Sequence, residues 1–193
     1  MNDWLADMVE GQGVSTKRSV VQPISSPLPQ GFAGAGYGRL VQFDKPLSLG
    51  RIVQAYAKGL GGLSHIMIAR PKTHSAEVTA KGNHEETIAP INSVAVCAGS
   101  GFDVLKDCGA DLIVTGEMTH HSALRLTMLG KTVITVFHSN SERKFLKDVL
   151  QPQLQTALQK EDKGAEVLVS EEDEDPFEIW DVKNLPSFVG GQE

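Results

Sequence analysis

From residue 93 onward the chain repeats one pattern three times. A short, nearly uninterrupted run of Val, Ile and Leu is followed by a few small or polar residues, then by a segment with apolar residues at helical spacing. The runs are residues 94–97, 111–114 and 132–137, and the helical segments are 102–108, 120–129 and 140–160. Strands that are apolar at successive positions are buried on both faces, and parallel strands need a helix to carry the chain back. The predicted fold class is therefore α/β, with a parallel or mixed sheet and helices on both faces. Right-handed crossovers bring the carboxyl ends of such strands to one edge, where ligand crevices lie. Three polar segments, 98–101, 115–121 and 138–142, follow strands at that edge. Their shared position predicts a single site.

The segment His138-Ser-Asn-Ser-Glu142 carries the sharpest chemistry. An imidazole and a carboxylate four residues apart, where a strand hands over to a helix, can converge on one metal ion. Two structural readings compete. Ser139 and Glu142 match a capping box, which would occupy the same carboxylate. His138 at the end of a buried strand also fits a satisfied core histidine. The second segment, Thr115-Gly-Glu-Met-Thr-His-His121, adds Glu117, His120 and His121. Glu117 in the turn can orient a histidine or take part in proton transfer, or be a solvated turn carboxylate. His120 and His121 lie about 100° apart on a helix, so one at most faces the crevice easily. Gly99-Ser-Gly101 can present backbone amides to an anion at a helix start, a weak signal in so short a motif. His65, His74 and His84 stand alone and carry no assigned role.

The first 92 residues are less regular. Residues 3–9 predict two helical turns with Trp4, Leu5 and Met8 on one side. Residues 10–38 are rich in Gly, Ser, Pro and Gln and read as a loop or linker. A strand over 39–43, a helix capped by Ser48 and running to Leu60, and a strand over 64–69 are expected next, then a polar surface excursion over 71–91. A last strand is expected over 166–170. The organisation expected is a short helix and irregular linker over 1–38, an α/β domain over 39–176 and a tail over 177–193.

A net charge of −6 argues against a nucleic-acid-binding surface, which needs a basic stripe. Much of that charge is the run Glu171-Glu-Asp-Glu-Asp175, read as a solvated turn or tail. Cys97 and Cys108 are too few to staple a scaffold of this size and read as buried free thiols in a reducing compartment. The chain has neither an 18-residue apolar stretch nor a signal-peptide pattern at its N-terminus. A soluble cytoplasmic protein, with nuclear residence also open to it, is expected.

Taken together, residues 96–101, 110–121 and 136–143 closely resemble the NIF-three family, named for Ngg-one-interacting factor three and also known as GTP cyclohydrolase I type 2 homologues. The Thr-Gly-Glu-x-x-His-His and His-Ser-Asn-x-Glu-Arg segments carry the likeness, which covers residues 38–176 and resumes weakly at residues 2–6. The resemblance implies an α/β fold, two divalent ions per site (Zn, Fe or Mn) and ring-shaped hexamers whose sites face an internal cavity. It implies His138 and Glu142 as metal ligands, with Glu142 bridging the ions, and Glu117, His120 and His121 nearby but outside direct coordination. The activity implied is that of a metal-dependent hydrolase of undefined substrate. The competing reading is a non-enzymatic interaction or regulatory protein with a transcription-regulator partner.

The family's remaining ligands, an adjacent histidine pair and an aspartate, have no counterpart before residue 93. The expectation is a truncated relative that keeps two protein ligands, binds metal weakly by itself and leaves an apolar sheet face or edge open. Such a chain is expected to be marginally stable or dependent on a partner chain.

Overall fold

The computed structural model describes residues 1–14, 16–71 and 90–180. The expected polar excursion over 71–91 lies almost wholly outside the described residues. Six strands form one mixed sheet in the order β1-β2-β4-β5-β6-β3. Three of them, β4 (Ile91–Cys97), β5 (Leu112–Thr115) and β6 (Thr132–Thr135), run parallel at its heart. All four residues of β5 and all four of β6 are buried, as two covered faces require. The flanking strands, β1 (Thr16–Pro23), β2 (Gly36–Leu47) and β3 (Met67–Ala69), pair antiparallel.

Helices cover both faces. On one, α1 (Asn2–Glu10) and α2 (Leu49–Gly59) bury Leu5, Val9, Ile52 and Tyr56 against Val94, Val96, Leu112 and Ile134. On the other, α3 (Phe102–Leu105) and α4 (His120–Met128) bury Leu105 and Leu126 against Ala95, Ile113 and Val133. Ser48 caps α2 as expected, its hydroxyl accepting from the Arg51 amide.

Three expectations fail, each for a local reason. Residues 10–38 are not one irregular linker, because β1 lies inside them and pairs with β2 from Thr16↔Phe43 to Pro23↔Gly36. Only one side of this edge strand is shielded, so Lys17, Ser19 and Gln22 are tolerated and the apolar signal is thin. Residues 166–170 form no strand. Glutamines of α6 (Gln151–Leu158) engage that backbone instead: Gln155 accepts from the Val167 amide at 2.6 Å, and Gln151 donates to the Val167 carbonyl at 2.8 Å. The helix expected over 140–160 is also broken. A 3-10 turn (Ser139–Ser141) leads into α5 (Arg143–Phe145), then a π-helical turn (Leu146–Leu150), then α6. Pro152 in the first turn of α6 lacks an amide hydrogen, and in a regular helix its ring would crowd the Asp148 carbonyl. Widening the preceding turn relieves that contact.

Helix α1 is pinned to the sheet by charge. Arg39 on β2 makes a two-pronged contact with Asp3, both oxygens accepting at 2.7 Å, and Arg18 on β1 reaches Asp3, Asp7 and Glu10. Arg39 foremost, and Arg18 with it, holds the Asp3 carboxyl below its ordinary range. A depressed carboxyl contributes stability that is complete above its unfolded value and is lost as pH falls through the folded one. Asp3 is half exposed, so the contribution is about 0.5–1 kcal/mol. Asp3→Asn should therefore lower the denaturant midpoint near neutral pH and leave a smaller loss below pH ~4. An unchanged acid limb in urea titrations at several pH values would show that the cluster holds nothing.

Candidate functional site

The three strand-end turns are tied together by backbone groups and two buried hydroxyls. The Gly99 carbonyl, just after β4, accepts from the amides of Gly116 and Glu117 at 3.0 and 3.1 Å and from Thr115 Oγ1 at 2.9 Å. Thr115 Oγ1 in turn accepts from the Gly101 amide at 2.9 Å. Ser141 joins the third turn: its hydroxyl accepts from the Gly99 amide at 2.9 Å and donates to the His138 carbonyl at 2.7 Å. The turns after β4, β5 and β6 are thus one knot. Sequence reasoning missed Thr115 and Ser141, whose partners are backbone groups 16 and 42 residues away.

Phe137 brings the chain into this knot with φ 69°, the only non-glycine residue of positive φ among those described. A bulky residue held there costs on the order of 1–3 kcal/mol, a strain that clusters at functional positions. Its effect is to swing His138 off the strand and over the sheet edge. The capping box does not form. The Glu142 amide donates to the Ser139 carbonyl at 3.1 Å, no side chain caps the turn, and Glu142 leaves helical geometry at φ −126°. Its carboxylate remains available.

His138 stands between two carboxylates. Its Nδ1 lies 2.8 Å from Glu117 Oε1, and its Nε2 faces Glu142 Oε1 at 3.8 Å. Ser100 Oγ donates to the same Glu117 oxygen at 2.5 Å. The Ser100 hydroxyl, and then His138, hold the Glu117 carboxyl low, while the hydrogen bond to Glu117 raises His138. A β-carbon on Gly99 would sit 2.9 Å from Glu142 Oε1 and 3.2 Å from His138 Nε2, so this glycine floors the gap between them.

Glu117 thus joins the expected His138–Glu142 pair, but His120 and His121 do not. At the start of α4 both are exposed, their rings edge to face at 5.6 Å, and among the described residues neither ring makes a hydrogen bond. His120 borders a separate apolar hollow of about 310 Å³ between β3 and α4. A larger cleft of about 550 Å³ opens beside His138, with Met67, Met118 and Phe137 in its wall and Asp175 and Phe177 at its margin. The acidic run, expected as a solvated tail, is tethered there by Asp173, which accepts from Arg143 Nε at 2.5 Å. Of the two cysteines, Cys97 is buried as expected, whereas Cys108 is only half-buried.

The donor set fits part of a metal's coordination shell. Two donors each ~2.1 Å from one ion at a tetrahedral angle lie about 3.4 Å apart, so the His138–Glu142 gap needs to close by only a few tenths of an ångström. Among the described residues, however, no group of three or more His, Cys, Asp or Glu is arranged to hold an ion.

Residues 1–176 match the family model described as Duf34/NIF3 (NGG1p interacting factor 3). The Schizosaccharomyces pombe protein NIF3 homolog is 35% identical over 177 residues, covering 92% of this chain and 58% of its own length. The Saccharomyces cerevisiae NGG1-interacting factor 3 is 37% identical over 183 residues, covering 93% of this chain and 56% of its own. The chain spans a little over half the length of these relatives. The Staphylococcus aureus protein SA1388 superposes with a TM-score of 0.62 at 18% identity, over 93% of this chain and 63% of that one, a likeness that speaks for the fold alone.

Proposed function

We propose a function from the fact that this chain belongs to the Duf34/NIF3 family: it carries the C-terminal part of a dinuclear, hydrolase-like metal site, with His138 and Glu142 as its two ligands. The observation that supports this most directly is the 3.8 Å gap between His138 Nε2 and Glu142 Oε1, floored by a glycine whose side chain would fill it. A bound divalent ion supplies Lewis-acid polarisation and an acidified water. The chain's own residues orient and shape. Glu117 accepts the hydrogen bond from His138 Nδ1, Gly99 keeps the space open, and the cleft beside Met67 and Phe137 receives the organic part of a substrate. Two ligands are fewer than a stable site needs. The remaining donors lie outside the described residues, and the activity of the whole protein depends on them.

Dialysed protein should therefore hold well under one ion per chain by elemental analysis. Titrated with Co²⁺, it should take up about one ion weakly, as followed by the visible absorption of the bound ion, and His138→Ala and Glu142→Gln should each abolish uptake. Two tightly held ions per chain, or uptake indifferent to both substitutions, would refute the two-ligand assignment.

A second reading, an interaction or regulatory role, is favoured by a row of half-exposed leucines. Leu146, Leu150, Leu154 and Leu158 recur every four residues through the π-helical turn and α6 and are 41–42% exposed. The yeast relative is named for an interaction with NGG1. A folded chain that takes up no Co²⁺ favours this role over chemistry. No helix among the described residues is long and apolar enough to cross a membrane.

A further inference from the structure

We propose that Ser100 and Glu117 are positioning residues that hold His138 in its Nδ1–H tautomer, leaving the Nε2 lone pair directed at Glu142. An ionised carboxylate only accepts hydrogen bonds, so the 2.8 Å contact between Glu117 Oε1 and His138 Nδ1 requires the ring proton on Nδ1. Free neutral imidazole side chains in water favour the opposite tautomer, with the proton on Nε2. Nε2 is then bare, and its 3.8 Å separation from Glu142 Oε1 is too long for a hydrogen bond that would hold a proton there. This is the arrangement of a metal-binding histidine, whose other nitrogen donates to a carboxylate that fixes its orientation.

Ser100 sets the carboxylate. Its hydroxyl donates to the same Oε1 at 2.5 Å, so two donors from two turns converge on one oxygen. Both ends of that contact are anchored, because the Glu117 amide and Thr115 Oγ1 donate to the carbonyl of Gly99, the neighbour of Ser100. Neither Ser100 nor Glu117 contributes an atom to the gap between Nε2 and Glu142. Both act through His138.

The tautomer stands on geometry alone; its purpose rests on His138 being a metal ligand as proposed above. The two are separable by experiment on the full chain labelled with ¹⁵N-histidine. Long-range ¹H–¹⁵N correlation, at a pH where the ring is neutral, should show wild-type His138 protonated on Nδ1. Glu117→Ala should return it to Nε2–H and weaken Co²⁺ uptake about 10- to 100-fold. Ser100→Ala removes only an exposed hydroxyl and should shift the population the same way by a smaller amount, with Ser100→Thr restoring it. This pair keeps the test decisive should Glu117→Ala fail to fold. An Nε2–H ring in the wild type, or an Nδ1–H ring persisting in both alanine variants, overturns the inference. Wild-type protein with the Nδ1–H ring that takes up no Co²⁺ overturns the metal reading instead and leaves the tautomer assignment standing.

Discussion

Gly99→Ala should lower stability by about 1–2 kcal/mol from the backbone alone, since φ is +62° there. It should also remove Co²⁺ uptake. The new methyl would meet Glu142 Oε1 at 2.9 Å and His138 Nε2 at 3.2 Å, distances at which one of the two must move away. The larger effect falls on the pair and the smaller on the fold. Gly116→Ala should perturb the fold more, because its β-carbon would meet the Gly99 carbonyl at 2.9 Å and His138 Cα at 3.0 Å, neither of which can swing aside. Gly109→Ala serves as the control. Nothing lies within 4 Å of its β-carbon and its φ is not left-handed, so it should be neutral or gain ~0.4–1 kcal/mol by restricting the unfolded chain. Urea midpoints for the three variants, with Co²⁺ titrations on those that fold, decide the matter. A Gly99→Ala protein with wild-type midpoint and wild-type uptake would mean that the gap is not the site.

The parallel centre of this fold was legible because β4, β5 and β6 are covered on both faces, which forces runs such as Leu112-Ile-Val114 and Val133-Ile134 into the sequence. The edges were not. In β1 burial alternates only from Thr16 to Val20, and its one long partner lies across a loop of twelve residues from 24 to 35, so a strand looked like a linker. The charged face of α1 had no visible counterpart either, since Arg18 and Arg39 meet Asp3 only once both strands are in place.

The site divides in the same way. His138 and Glu142 are four residues apart at a strand end, a local pattern that survives translation into space. Glu117 was visible as a carboxylate at the next strand end, although its partner was not. Ser100, Thr115 and Ser141 are ordinary turn hydroxyls whose roles depend on a backbone carbonyl or amide from another turn. The two histidines adjacent in sequence stood out more than any of these hydroxyls, yet both are exposed and their rings meet only each other edge to face. Position at a strand's carboxyl end told which turns meet, whereas side-chain type did not tell which groups meet there.

Tyr56 yields a pair of opposite expectations from one side chain. It is fully buried at the centre of the α1–α2 face, and among the described residues its hydroxyl has no hydrogen-bond partner. That burial pushes the phenol far above its ordinary range, because an ionised oxygen there would have nothing to solvate it. An unpaired buried hydroxyl costs the fold about 1–3 kcal/mol, so removing it while keeping the ring should recover part of that sum. Tyr56→Phe is expected to raise the midpoint. Removing the ring does the reverse: Tyr56→Ala opens a cavity between Leu5, Ile52 and the sheet and should cost ~3–5 kcal/mol, a large share of the stability of a domain this size. The comparison also probes how self-sufficient this face is. If Tyr56→Phe instead loses a kilocalorie or more, as judged by equilibrium unfolding, the hydroxyl has a partner in solution. Dependence of that loss on protein concentration would place the partner on a second chain, and its absence would place it within the same chain or on trapped water.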